Sequence, residues 1–157
     1  MDHLSLIEWG FLCYNGIGRY IWGETLMAEE MNFLKERAKE FWEEGVRLFN
    51  EGKYNLSAFH LEQAIQLWLK YLIALKVGEW PKTHYFFPLI NELVKIYKKK
   101  EILKFYKKEE LFFENLEDAY FTSRYFPKSF SKSLVEKLIK KSKEFFKILE
   151  NETNEKF

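Results

Sequence analysis

Arg124, followed directly by Tyr125, is the residue best placed to do recognition chemistry. Its guanidinium presents a planar fork of N–H donors that meets phosphate or carboxylate oxygens two at a time. Lys82, His84 and Lys128 could join it in holding an anion or a nucleotide, and the His84 ring could also meet a base. Each has an ordinary structural use as well. Arg124 could satisfy the last carbonyls of a helix or pair with Glu117 or Asp118, and His84 could tie a loop to the bundle. His60 reads as structural or exposed. With His3, His60, His84 and Cys13 scattered, no cluster has metal-ligand spacing, so neither a metal nor a cofactor is expected. No Gly-rich phosphate loop is present, and no residue is assigned a catalytic role.

The elements that must position these residues are helical. A chain of 157 residues has single-domain length and can bury a sizeable core without staples. Its single cysteine cannot form an internal disulfide, which favours a cytoplasmic location. The 25 basic and 24 acidic residues nearly cancel, so any nucleic-acid contact is local rather than a basic stripe. Lys and Glu dominate the polar positions and Gln occurs only at 63 and 66, a bias toward a thermophilic source. No apolar run reaches the ~20 residues of a membrane span.

Residues 1–26 stand apart, with Gly10, Gly16, Gly18 and Gly23 but no lysine. They form an appendage, either an over-extended start ahead of Met27 or an aromatic arm that packs on the bundle or a partner. The domain proper is expected over 27–157. From Glu29 the period is helical: Met31, Leu34, Ala38, Phe41, Trp42, Gly45 and Phe49 trace one face up to a left-handed cap at Gly52. Tyr54 to Leu75 repeats with four-three spacing until Gly78 and Pro81. A third helix is predicted to be capped by Thr83 and to run out at Lys98, Lys99 and Lys100, followed by a polar and aromatic connection. A fourth is predicted over about 109–124, ending before Pro127, and a last one begins at Ser129, Ser131 or Ser133.

The fold class is therefore all-α, an antiparallel up-and-down bundle of four to five helices. Strict alternation would gather Lys76, Lys82, His84, Arg124, Tyr125, Lys128 and Lys132 at one end. The N-termini of the third and fifth helices would point free N–H groups at the same place, an anion-binding arrangement. Lys98 to Lys100, Lys107 and Lys108 read as a solvated connection at the other end. The aromatic content, 19%, exceeds what a minimal bundle needs and suggests a two-fold homodimer.

Three local patterns give the chain a family likeness. Gly52-Lys53-Tyr54-Asn55-Leu56-Ser57-Ala58 leads into a helix carrying Gln63-Ala64 and, downstream, Lys70. Thr83-His84 opens the third helix. Tyr120-Phe121-Thr122-Ser123-Arg124-Tyr125-Phe126-Pro127 is close to a Tyr-x-x-x-Arg-Tyr-Pro pattern. From Met27 to about Glu150 the chain resembles the HEPN superfamily, with Gln66 where many relatives have Glu and Phe126 as an insertion. The ribonuclease branch of that family has an Arg and a His separated by four to six residues. Ser129, Phe130 and Ser131 occupy the eligible positions after Arg124. The resemblance thus implies a non-catalytic module that binds a nucleotide (ATP-like) or RNA and partners a minimal nucleotidyltransferase in a toxin-antitoxin-like system. A divergent toxin-type ribonuclease and a ligand-free dimeric scaffold are the alternatives.

Overall fold

The computed structural model describes residues 17–157, with side chains from residue 31 onward. Six helices follow in order: α1 Ile17–Asn50, α2 Tyr54–Val77, α3 Phe86–Tyr97, α4 Lys100–Lys108, α5 Glu110–Tyr125 and α6 Lys132–Thr153. No strand occurs among the described residues. The all-helical bundle expected from the periodicity is present, with one helix more than expected. Residues 1–16, most of the expected appendage, lie outside the described residues. No helix among the described residues is long and apolar enough to cross a membrane.

Helix α2 is the centre. Ala58, Leu61, Ile65, Trp68, Leu69 and Leu72 are completely buried, and α1, α3, α5 and α6 all pack against it. Burying one such large side chain contributes about 1.5–3 kcal/mol, so the core is dominated by this helix and the aromatic group Phe86, Phe113 and Phe145 around it. α1 approaches it antiparallel and very closely. Gly45 permits this: a Cβ there would lie 3.1 Å from Leu61 Cδ2 and 3.3 Å from the Leu61 backbone nitrogen. The Ser57 hydroxyl donates to the Gly45 carbonyl at 2.7 Å in the same crossing. The connecting turn uses Gly52 at φ 77°, as the sequence predicts.

Two departures from simple alternation fix the geometry. Helix α2 closes with Gly78 in the left-handed region, its N–H donating to the Ala74 carbonyl at 2.8 Å. The 78–85 connection does not turn at that end. It runs back along α2 until the Gln66 side-chain amide donates to the His84 carbonyl, so α3 starts beside the middle of α2. The second departure is α4, which occupies the expected connection because Ile102 and Phe105 are apolar on one face and become buried. Lys98 adopts a left-handed cap at φ 56° and Lys100 opens the new helix, so the lysine run joins two helices.

The predicted cap at Thr83 is corrected. Its hydroxyl accepts from the Tyr85 N–H at 3.1 Å, closing a local turn, while α3 begins at Phe86, whose N–H donates to Glu117 Oε1 at 2.8 Å. Of the three serines offered for the last helix, Ser131 is the cap and accepts from the Leu134 N–H at 3.2 Å.

The C-terminal end of α5 and the start of α6 are clamped to the first turn of α2 by one side chain. Asn55 donates to the Lys128 carbonyl at 3.0 Å and accepts from the Phe130 N–H at 2.6 Å. Asn55→Ala is expected to cost about 1–2 kcal/mol, chiefly because the Phe130 N–H loses its acceptor, while the exposed Lys128 carbonyl can turn to water. Gly45→Val should cost a similar amount, about 1–3 kcal/mol, through overpacking. Urea unfolding midpoints measure both, and an unchanged midpoint would contradict the assigned contacts.

Candidate functional site

Tyr120, one turn before Arg124 on α5, collects the polar residues of this end of the molecule. The His84 ring stacks on it with centroids 4.2 Å apart and an interplanar angle of 26°. The Tyr120 hydroxyl lies 3.0 Å from His84 Nε2, a hydrogen bond whose direction follows the imidazole tautomer. The Arg124 guanidinium lies over the same tyrosine ring at 4.3 Å, over Tyr125 at 5.0 Å and over Phe59 of α2 at 5.2 Å. Its Nε donates to the Tyr120 carbonyl at 2.9 Å. This leaves the guanidinium's terminal nitrogens without a carboxylate partner among the described residues, on an exposed side chain. Cation and ring faces support each other here.

The neighbouring carboxylates are engaged elsewhere. Glu117 accepts from the first amide of α3, and Asp118 pairs with Lys128 at 3.0 Å. Burial raises the Glu117 carboxyl above its ordinary range against that amide bond, and Glu114 and Asp118 raise it further. Neither serves as the Arg124 partner considered from sequence.

Beneath the ring cluster α2 contributes a polar stripe at helical spacing, Glu62, Gln66 and Lys70. Glu62 and Gln66 are buried and Lys70 is half-buried. Burial holds the Lys70 ammonium below its ordinary pKa, with Glu62 acting in the opposite sense. His84 is exposed as a residue, yet Tyr120 covers one ring face. Desolvation first, then the positive charges of Lys70 and Arg124, keep its pKa below the usual histidine value.

Of the residues singled out by sequence, His84, Arg124 and Tyr125 come together. Lys128 lies at the same bundle end but is committed to Asp118, and Lys82 is exposed two residues before His84. Lys76 does not join them. It lies over Tyr97 at 5.7 Å, and Tyr97 in turn donates to the Leu72 carbonyl, near the far end of α2. The pair of free helix N-termini is also corrected: the α3 start is taken by Glu117 and lies at mid-bundle, while the α6 start is capped by Ser131. His60 has a structural setting, with Nδ1 2.7 Å from the Leu56 carbonyl and its ring against Phe41 and Phe59. His3 and Cys13 lie outside the described residues. Among the described residues no group of three His, Cys, Asp or Glu could hold a metal ion.

Sequence reasoning missed Tyr120, Phe59, Glu62, Gln66 and Lys70 as site residues. Glu62, Gln66 and Lys70 carried a usable signal, three polar residues four apart along a largely apolar stretch of the helix. Tyr120 carried one as well, as the first residue of the Tyr-x-x-x-Arg-Tyr-Pro-like pattern, but its place one turn before Arg124 read as core.

The family model of the HEPN domain matches residues 31–152. The chain belongs to the HEPN family. No curated protein and no solved structure matches it. In this HEPN domain the matched region contains the whole Tyr120 cluster and all the helices that position it, α1 from Met31 onward through nearly the end of α6.

The electrostatics give a direct test. In an NMR titration His84 should protonate below the usual histidine range, and Arg124→Ala or Lys70→Ala should move its midpoint upward by removing a nearby positive charge. A midpoint insensitive to both substitutions would contradict the arrangement.

Proposed function

We propose that this HEPN domain is a binding module for a nucleotide or a short RNA segment, which it engages at Tyr120, Arg124 and His84. The observation that carries the reading is an exposed guanidinium held over the Tyr120 ring beside a stacked imidazole. Aromatic and guanidinium planes accept bases by stacking, and the free edge of Arg124 suits a phosphate. Tyr125 adjoins the guanidinium and supplies a further contact to the same ligand, as does the exposed Lys82 two residues before His84, and Lys128 does so by exchanging its Asp118 partner for the ligand. The near-neutral charge of the chain fits a small ligand or a few nucleotides better than a long duplex. The family likeness supports a separately encoded minimal nucleotidyltransferase as partner, in a toxin-antitoxin-like pair.

A second reading has a specific observation behind it. His84 and Arg124 meet on one tyrosine ring, and the lowered His84 pKa leaves the imidazole unprotonated at neutral pH, able to act as a general base toward a ribose hydroxyl. RNA degradation by purified protein, lost in both Arg124→Ala and His84→Ala, would favour this ribonuclease reading over the binding module.

Calorimetric titration with ATP, other nucleotides and short single-stranded RNA tests the binding reading. Arg124→Ala should weaken the best ligand by about tenfold or more, since a hydrogen bond to a charged group contributes roughly 1.5–3 kcal/mol. Lys76→Ala, at the far end of α2, should change nothing. Absence of binding by wild-type protein at millimolar ligand would overturn the proposal.

A further inference from the structure

Two acceptor atoms in the middle of α2 have no visible donor. Glu62 Oε1 and Gln66 Oε1 are both buried and both lack a hydrogen-bond partner. Such atoms are costly to leave unsatisfied, and pairs of them within reach of one another call for a donor between them. Glu62 and Gln66 sit one turn apart on one helix face, and Gln66 lies near enough to act on the Glu62 carboxyl. The orientation of the Gln66 amide is decided by its other neighbour. Its nitrogen faces the His84 carbonyl, which can only accept, so the NH2 must point there. Turning the amide over would set oxygen against oxygen at His84. The Gln66 oxygen is therefore left facing away from His84, toward the polar stripe of α2, with Glu62 one turn before it and the half-buried Lys70 one turn after it. The other Glu62 oxygen, Oε2, is already satisfied by the Gln63 amide at 2.6 Å.

We propose that Glu62 is carried as a neutral carboxylic acid whose O–H donates to Gln66 Oε1, and that this bond holds the Gln66 amide on the His84 carbonyl. Glu62 and Gln66 are then positioning residues: they fix the backbone of His84, and with it the ring that stacks on Tyr120. One proton satisfies both orphaned oxygens. The inference deepens the reading of the Tyr120 site, yet it rests only on bonding inside the protein.

The surroundings agree. The charged groups that face Glu62 are Lys70 from its own helix and Arg124 from α5, both favouring the ionised form. Neither bonds the carboxyl: Glu62 Oε1 has no partner and Oε2 accepts from Gln63. Burial outweighs these charges and the Gln63 and Gln66 side-chain contacts, which also favour the ionised form, and pushes the Glu62 pKa up to about 8. Glu has an ordinary value near 4.5. A group whose folded pKa is raised in this way takes stability away as pH rises from the unfolded value through the folded one.

Infrared difference spectra of wild type against Glu62→Gln, without any ligand, read the proton directly. At pH 7 the difference should contain a carboxylic-acid C=O band from wild type, and that band should vanish well above pH 8. Its absence at pH 7 would overturn the proposal. Wild-type NMR provides the positioning readout: the His84 and Tyr85 backbone amides should shift with a midpoint near 8, distinct from the lower ring titration of His84. In Glu62→Gln, whose amide can still donate to Gln66, the fold and the His84–Tyr120 stacking shifts should persist while the step near 8 is lost. A step retained in Glu62→Gln, or no step in wild type, would reject the coupling to His84. None of these outcomes depends on nucleotide binding, so failure of the binding reading is separately visible.

Discussion

Burial of α2 on nearly every side is the constraint from which the rest follows. Where α2 is surrounded by α1, α3, α5 and α6, the buried side chains of Ser57, Glu62 and Gln66 cannot turn to water and look for partners inside the protein. Ser57 does so at the Gly45 carbonyl and thereby locks the closest helix crossing of the bundle. Glu62 and Gln66 do so beside the 78–85 connection, which is drawn back along α2 by the Gln66–His84 bond. The same requirement thus explains why α3 begins at mid-bundle and why a histidine arrives beside α5.

The site is where that inner polar stripe meets the surface. Tyr120 spans the boundary: its ring carries His84 on one side and the exposed Arg124 guanidinium nearby, while Phe59 connects the group to α2. Asn55 holds the α5–α6 connection to the first turn of α2, so the backbone that bears Arg124 is fixed from below. Membership of the HEPN family gives this constellation a functional direction, and the chemistry of ring, cation and free guanidinium edge suits a base with a phosphate. The aromatic surface beyond it, with Tyr125 70% and Phe126 62% exposed, leaves room for a ligand larger than one nucleotide or for a protein partner.

Much of this was legible in the sequence. The four-three spacing from Tyr54 to Leu75 marked α2 because its apolar residues recur over many turns, with Gly52 as the expected left-handed cap before it and Gly78 as the break after it, and both adopt left-handed backbone. The meeting of His84 with Arg124 was expected too, although for a reason the molecule does not use. Strict up-down alternation put Lys76 with them, whereas the returning 78–85 connection leaves Lys76 at the far end beside Tyr97. Such a return depends on a side-chain bond between residues 18 apart, which no local pattern encodes. Helix α4 escaped notice because nine residues supply only two buried apolar positions, too few for a period. Tyr120 looked like core because spacing reports which face of a helix a residue occupies, not what stacks on it. Thr83 looked like a cap because the competing carboxylate, Glu117, is distant in sequence.

The central claim is that His84 and Arg124 act as one site through Tyr120. A double-mutant cycle of His84→Ala and Arg124→Ala, read as affinity for the tightest-binding nucleotide or RNA, measures this directly. The account predicts losses that are not additive, with a coupling of about 0.5 kcal/mol or more. Additive losses, or a loss confined to one of the two residues, would contradict it.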